Sequence, residues 1–388
     1  MRQPVLFLLL LAIFILAIWP IGGYILVFCS FILALQKGEG RELGQIFVND
    51  WALWLLTGVF WLSAILSGNL IVTFIGGLLF SLQIILYLLV RVYLTGKYCS
   101  KAIDLLILAG CIVALYGLGQ YFFLNDGTQM AWLDKNVYGE INKRVFSTLY
   151  NPNVLGSYLV IIISLTLGKV CTAFRWHNLL YFAVLIVSYL CLFFTFSRGA
   201  WLAMFLSLLA LFIFYRKKRN LLFVLVILVL IILPASSQIA ERMSLQLFTE
   251  DMSSLYRLQI WEGSWKIIQN NWLLGVGPGN FSSALAHYLP VKPFVVFHAH
   301  NTYLHVLSET GILGFLATSL FYGQILWRAY RCYSISGNAK IASLSLAILV
   351  GLLGILIHGC VDATLVAPQF TVFFWILAAL VYNLDSKS

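Results

Sequence analysis

The chain reads as an all-α polytopic integral membrane protein with about twelve transmembrane helices, and three observations predict that class. Apolar residues fill 62% of the 388 positions and charged residues only 10%, against about 25% charged in soluble domains. Apolar runs recur along most of the chain, each close to the ~20 residues a helix needs to cross hydrocarbon. Lysine and arginine are shared unequally between alternate connections, as orientation in a membrane requires.

The spans fall at roughly 4–19, 21–36, 50–67, 70–91, 102–124, 153–170, 178–196, 199–215, 221–236, 310–329, 341–360 and 368–384. The first resembles a signal peptide, but it has no small-residue cleavage site and runs into further apolar sequence, so it is kept as a span. Pro20-Ile21-Gly22-Gly23 either separates two spans or breaks one kinked helix. With the N-terminus inside, the inner connections and both termini hold sixteen of the twenty-four Lys and Arg residues. Both ends are therefore expected in the cytoplasm. The same asymmetry accounts for most of the +10 charge. The RKKRN turn at 216–220 is thus read as topology, and no nucleic-acid partner is needed.

Two long polar segments fall outside, 124–153 and 237–309, and neither contains one of the seven cysteines. A disulfide framework on that side is excluded. The expected organisation is N-terminal helices at 1–124 and central helices with a short periplasmic loop at 125–236. A large periplasmic loop with amphipathic helices follows at 237–309, then C-terminal helices at 310–388.

Arginine on the outer side runs against the orienting bias. Arg198, in "CLFFTFSRGAWLAMFLSL", has almost no loop around it. It marks either a snorkelling helix end or a site for an anion that its fork would grip bidentately. Arg144 stands just before Asn151-Pro152, a good helix start in which Asn caps and Pro occupies the first turn. Arg257 lies in "SSLYRLQIWEGSWKIIQNNW". There Leu255, Leu258, Trp261, Trp265, Ile268 and Trp272 recur at helical spacing and predict an amphipathic surface helix or lid. "GVGPGN" at 275–280 lacks the ending and setting of a phosphate loop and reads as a turn.

"VVFHAHNTYLHVLSETGILG" carries three of the six histidines. His300 and His305 do not share a helix face and no carboxylate or cysteine cluster lies close in sequence, so no metal is expected. His305 reads as structural. His300 suits a general base, since a neutral imidazole takes a proton near neutral pH, with Asn301 or Glu309 able to fix its tautomer. His298 stands beside it as a supporting group. Glu309 also complements the positive end of the span that follows. Cations and one base, with no nucleophile elbow and no metal–sugar motif, suit displacement at a carbon bearing a diphosphate. A donor arriving from the lipid would be a polyprenyl-diphosphate sugar.

"RVFSTLYNPNVLGSYL", "FSRGAWLA", "YRLQIWEGSWKIIQNNWLLGVGPGNF", "HAHNTYLHVLSETGILG" and "HGCVDATLVAPQF" follow one another in the order seen in the O-antigen ligase family, which this chain resembles over roughly 140–384. The resemblance implies a metal-independent, inverting, cofactor-free glycosyltransferase of the bacterial inner membrane with its active site facing the periplasm. It would move a glycan from undecaprenyl diphosphate to lipid A–core. His300 would be the base, Arg198 and Arg257 would hold the diphosphate, and Arg144 would be a further cation. Asp362 and His358 match a subset of relatives and would support the acceptor or His300. Ser147 stands where relatives often have Gly, which implies a local backbone adjustment. A polymerase extending a lipid-linked glycan would use the same residues, so acceptor choice is expected in 124–153 and 237–297. A non-enzymatic lipid-linked oligosaccharide flippase is the rival from another class. It would want cations deep within several spans, where this chain has almost none.

Overall fold

The computed structural model describes residues 2–123, 144–172, 178–214, 252–288 and 296–385. Among them every regular element is helical: α1 Gln3–Ile18, α2 Pro20–Gln36, α3 Gly40–Asn49, α4 Trp51–Ile65, α5 Leu70–Tyr93, α6 Lys97–Phe123, α7 Pro152–Thr172, α8 Asn178–Phe194, α9 Arg198–Phe214, α10 Met252–Asn270, α11 Phe281–Leu285, α12 Thr302–Ile335, α13 Ala339–His358 and α14 Pro368–Asp385. Single 3₁₀ turns lie at Ser147–Leu149 and Thr364–Val366. Each of the eleven expected spans that falls within the described residues is a helix. The expected span at 221–236 lies outside them, as do the basic turn 216–220 and all of 124–143 and 237–251.

Five described helices are long and apolar enough to cross a membrane, or six if the bent pair α2–α3 is one span; five further apolar helices are shorter. The chain is thus built as a polytopic membrane protein. Two departures from expectation have local causes. The connection after α2 is helical: Gly38 adopts a φ of 76°, the chain bends by 110°, and α3 forms with Leu43 as its buried residue. The tenth span begins eight residues early, at Thr302, and carries a non-helical residue, Gly311, inside it. Pro20 and Trp19 separate α1 from α2, which pack closely on each other.

The chain forms two compact units that interleave in sequence. One comprises 1–105, 258–332 and 359–388; the other comprises 106–257 and 333–358. In the first, α5 is the hub, packed by α14, α2, α4 and α3. Ile71, Phe74 and Leu78 on α5 stay exposed, as a lipid-facing stripe would.

In the second unit α7 is central, against α13, α8 and α9. Small residues set that packing. A methyl group added at Gly168 would meet Ala347 Cβ at 2.5 Å, and one at Gly354 would meet Ser207 Oγ at 2.4 Å. Such contacts let backbones approach where lipid supplies no hydrophobic drive between helices. Ser343 Oγ donates to Gly168 O at 2.8 Å, and Ser157 Oγ meets His358 Nδ1 at 2.7 Å at the far end of the same interface. His358 is buried and ties α7 to α13.

Candidate active site

The site in the first unit is built on the start of α12. Asn301 caps that helix: its Oδ1 accepts from the backbone N–H groups of Tyr303 at 2.9 Å and Leu304 at 3.0 Å. Its Nδ2 donates to Cys360 O at 2.9 Å. Thr302 donates through its backbone N–H to Gly359 O at 2.8 Å and through its hydroxyl to Asp362 O at 3.2 Å. On the other flank the Trp261 indole donates to Ala299 O at 3.0 Å.

Between these two anchors His300 has a φ of 46°. The left-handed region admits His more readily than most residues but still disfavours any side chain. A conformation of this kind persists only where its surroundings over-determine it. The hydrogen bonds at 299 and 301 do so here. His300 Nδ1 lies 3.5 Å from Asp362 Oδ1, with the imidazole 25% and the carboxyl 4% exposed. Asp362 Oδ1 also accepts from the Ala363 N–H at 2.7 Å. His298 stacks edge-on against His300, ring centroids 4.4 Å apart. An imidazole a quarter exposed, with a buried carboxylate behind its Nδ1, has the arrangement of a base and its orienting partner.

Two expectations are corrected. Neither Asn301 nor Glu309 reaches His300; Asp362 does, because the segment after α13 docks on the start of α12. Glu309 lies inside α12, not at its start. Its Oε1 accepts from Gly279 N at 2.9 Å and Phe281 N at 3.2 Å, and its Oε2 lies 3.3 Å from His305 Nε2. His305 is buried, packed on the Phe281 ring. The turn at "GVGPGN" therefore does enclose a carboxylate, but one of the chain's own. The fold also gathers a group that sequence proximity hid. Ring nitrogens of His298 and His300 and a carboxylate oxygen of Asp362 lie within 4.8 Å of one another, a set that could hold an ion.

Of the stripe expected on the surface helix, Leu255, Leu258, Trp265 and, beyond the helix end, Trp272 are exposed, whereas Ile268 faces the protein with Ile260, Gly263, Ser264 and Ile267. A methyl group at Gly263 would meet Leu285 of α11 at 2.5 Å. In a membrane protein the small face packs on protein and the apolar face can meet lipid. Arg257 is half-buried, one helical turn before Trp261.

In the second unit Arg198 is the first residue of α9, half-buried. Only Thr195-Phe196-Ser197 separates it from α8. Ser197 Oγ accepts from Ala200 N at 3.4 Å. Arg144 is buried: its Nε donates to Thr195 O at 2.9 Å, and its Nη2 donates to Asn153 Oδ1 at 3.0 Å and Phe196 O at 3.5 Å. The fork expected at a diphosphate here grips the turn that carries Arg198. Asn151 caps α7 as expected, accepting from Asn153 N at 2.8 Å. Ser147 has a φ of 52°, which explains why Gly suits that position; its hydroxyl bonds to Val113 O at 2.7 Å and its N–H to Gln120 Oε1 at 2.7 Å.

Residues 130 in number align, at 26% identity, with the teichuronic acid biosynthesis protein TuaE of Bacillus subtilis (strain 168), covering 33% of this chain and 26% of that relative. The aligned region is thus about a quarter of the relative's length. Residues 182–319, which run from α8 through the clamped histidine and the kink of α12, match the family model described as O-antigen ligase. Over that stretch, about a third of its length, the chain is similar to the O-antigen ligase family.

Proposed function

We propose that the protein is a membrane glycosyltransferase of the bacterial inner membrane, moving a glycan from undecaprenyl diphosphate to a hydroxyl of lipid A–core. The observation that carries the reading is His300: clamped on both sides, a quarter exposed, and backed by buried Asp362. In the reaction the acceptor oxygen attacks the anomeric carbon, its proton passes to His300, and the bond to the diphosphate breaks with inversion. Arg198 and Arg257 neutralise charge on the departing diphosphate. Arg144 braces the Arg198 turn, and His298 and Asp362 orient the base. The base needs its lone pair, so the reaction runs without a metal at the His298–His300–Asp362 group.

The proposed topology has twelve spans, both termini in the cytoplasm, and a periplasmic loop at 237–309. Helices at eleven of the twelve places support it. So does the meeting, within the first unit, of segments that the charge bias puts on one side. Gly277 packs on Ser67 of the α4–α5 turn, and Gly279 on Val72 in the first turn of α5.

A second reading, extension of a lipid-linked glycan, is favoured by the likeness to a relative named for the biosynthesis of a different polymer. Purified protein reconstituted with undecaprenyl-diphosphate glycan, with and without lipid A–core, separates the two. Product only with lipid A–core supports the ligase; chain growth without it supports the polymerase. Transfer by His300→Ala at the wild-type rate would overturn both. Arg198→Lys is expected to lose at least about tenfold in rate, because a point charge replaces a fork.

A further inference from the structure

A cavity of about 300 Å³ opens in the first unit between the α4–α5 turn and the loop 271–288, at the small end of the range for ligand sites. Its polar lining is Asn69, Asn271, Asn280, Ser283, His287 and Tyr288. None of these is Lys, Arg, Asp or Glu, and His287 is the one side chain of the wall able to become a cation.

The other five polar side chains form a balance of neutral donors and acceptors, each anchored by one internal bond. Asn69 Oδ1 accepts from Val72 N, which leaves its amide N–H groups. Asn271 and Asn280 each donate through Nδ2 at 3.2 Å, to Ile267 O and Val276 O, which leaves their Oδ1 atoms. Tyr288 Oη accepts from Asn270 Nδ2 at 2.8 Å, which leaves its own hydrogen to donate. Ser283 Oγ donates to Asn280 O at 2.9 Å, which leaves its lone pairs. A ligand whose groups both donate and accept fits such a wall, and sugar hydroxyls are that kind of group.

Asn271 lies just past the end of α10, ten residues beyond Trp261, whose indole bonds beside His300. Along the helix axis that is on the order of 15 Å, a distance that a few linked sugars bridge.

We infer that this cleft is a glycan subsite, holding an uncharged, hydroxyl-rich segment of a saccharide a few residues away from the reacting sugar. The inference rests on the glycan-transfer reading and names the part of the substrate that the cleft takes.

The test is calorimetry on the full chain in detergent. The probe is oligosaccharide released by mild acid from the producing bacterium's envelope polysaccharide. Wild type and His300→Asn should bind it equally, and inorganic pyrophosphate should not compete. Ser283→Trp, at an exposed position, should weaken binding at least about tenfold, and Asn271→Ala should weaken it without a change in melting temperature. In the transfer assay Ser283→Trp should raise a KM about tenfold with kcat kept. The affected KM, donor or acceptor, identifies the chain that is held. Wild-type binding by both cleft variants, no binding by wild type, or competition by pyrophosphate would each overturn the subsite. Transfer retained by His300→Asn would overturn the proposed base and leave the cleft measurement standing.

Discussion

His300 separates backbone demand from chemical demand at a single position. Its φ of 46° suits Asn better than His, since Asn enters the left-handed region with little penalty. His300→Asn should therefore keep or slightly raise the melting temperature while transfer falls by about 100-fold or more, the range for loss of a general base. A parallel fall in both would point to a structural role. The group with His298 and Asp362 makes a second prediction. Chelation by EDTA should leave transfer unchanged, whereas added Zn²⁺ should inhibit by occupying the imidazole lone pair, reversibly on chelation. Loss of activity in EDTA, restored by metal, would reverse the assignment. His300 is singled out by its residue type and Asp362 only by the resemblance; their meeting is not legible from spacing, because they stand 62 positions apart and only docking of the segment after α13 brings them together. The left-handed backbone was foreshadowed at Ser147, where relatives often carry Gly.

At the scale of elements, α12 and the loop before it form one device. Ile312 N donates to Trp272 O at 2.8 Å and Leu313 N to Leu273 O at 3.3 Å, while Val276 N and Gly277 N donate to Ser308 O and Glu309 O at 3.0 and 2.8 Å. Ser63 Oγ adds bonds to Leu274 O and Glu309 O at 2.6 and 3.0 Å. Gly311, with a φ of 63°, sits so close that an added Cβ would lie 2.3 Å from Leu273 C. With a ψ of −167° Gly311 occupies a region that only glycine enters readily, so Gly311→Ala should cost ~1–3 kcal/mol from backbone conformation alone, with the overlap adding more. Gly323→Ala, on the same helix with nothing within 4 Å of a Cβ, should be neutral or stabilising. Thermal unfolding of the two variants measures the difference; equal melting temperatures would mean that the clamp is not rigid. Apolar runs announced the helix. The kink was hidden, because Gly in a membrane span reads equally as a packing residue.

Across the first unit as a whole, polar side chains from three helices, α5, α12 and α14, meet around Asp50, which is buried between α3 and α4. Tyr87 Oη donates to it at 2.6 Å, Gln324 Nε2 at 3.4 Å, and Arg91 lies 3.8 Å away. The guanidinium groups of Arg91 and Arg328 lie 3.9 and 4.0 Å from the centroid of the Tyr382 ring, an arrangement that draws on ring and charge together. Removing one partner of a buried pair strands the other, at ~3–5 kcal/mol. Asp50→Ala should therefore lower the melting temperature sharply, and Asp50→Ala with Arg91→Ala should lose less than the sum of the two single changes. Strict additivity would show the pair to be uncoupled. By charge bias alone, Arg91 and Arg328 are span-end cations of the expected inner side. The network shows their second use, which no local pattern carries because its members are scattered from position 50 to 382.

The kink at Gly311 also bears on how the protein is made. A span in lipid must satisfy every backbone polar group, and α12 borrows part of that satisfaction from residues 272–277. Those residues precede it in the chain, so during synthesis they emerge first and are already across the bilayer, on the proposed topology, when α12 partitions. Insertion of α12 is then a templated step. A chimera that exchanges the loop without its matching kink would be stopped in biogenesis, before catalysis was ever tested.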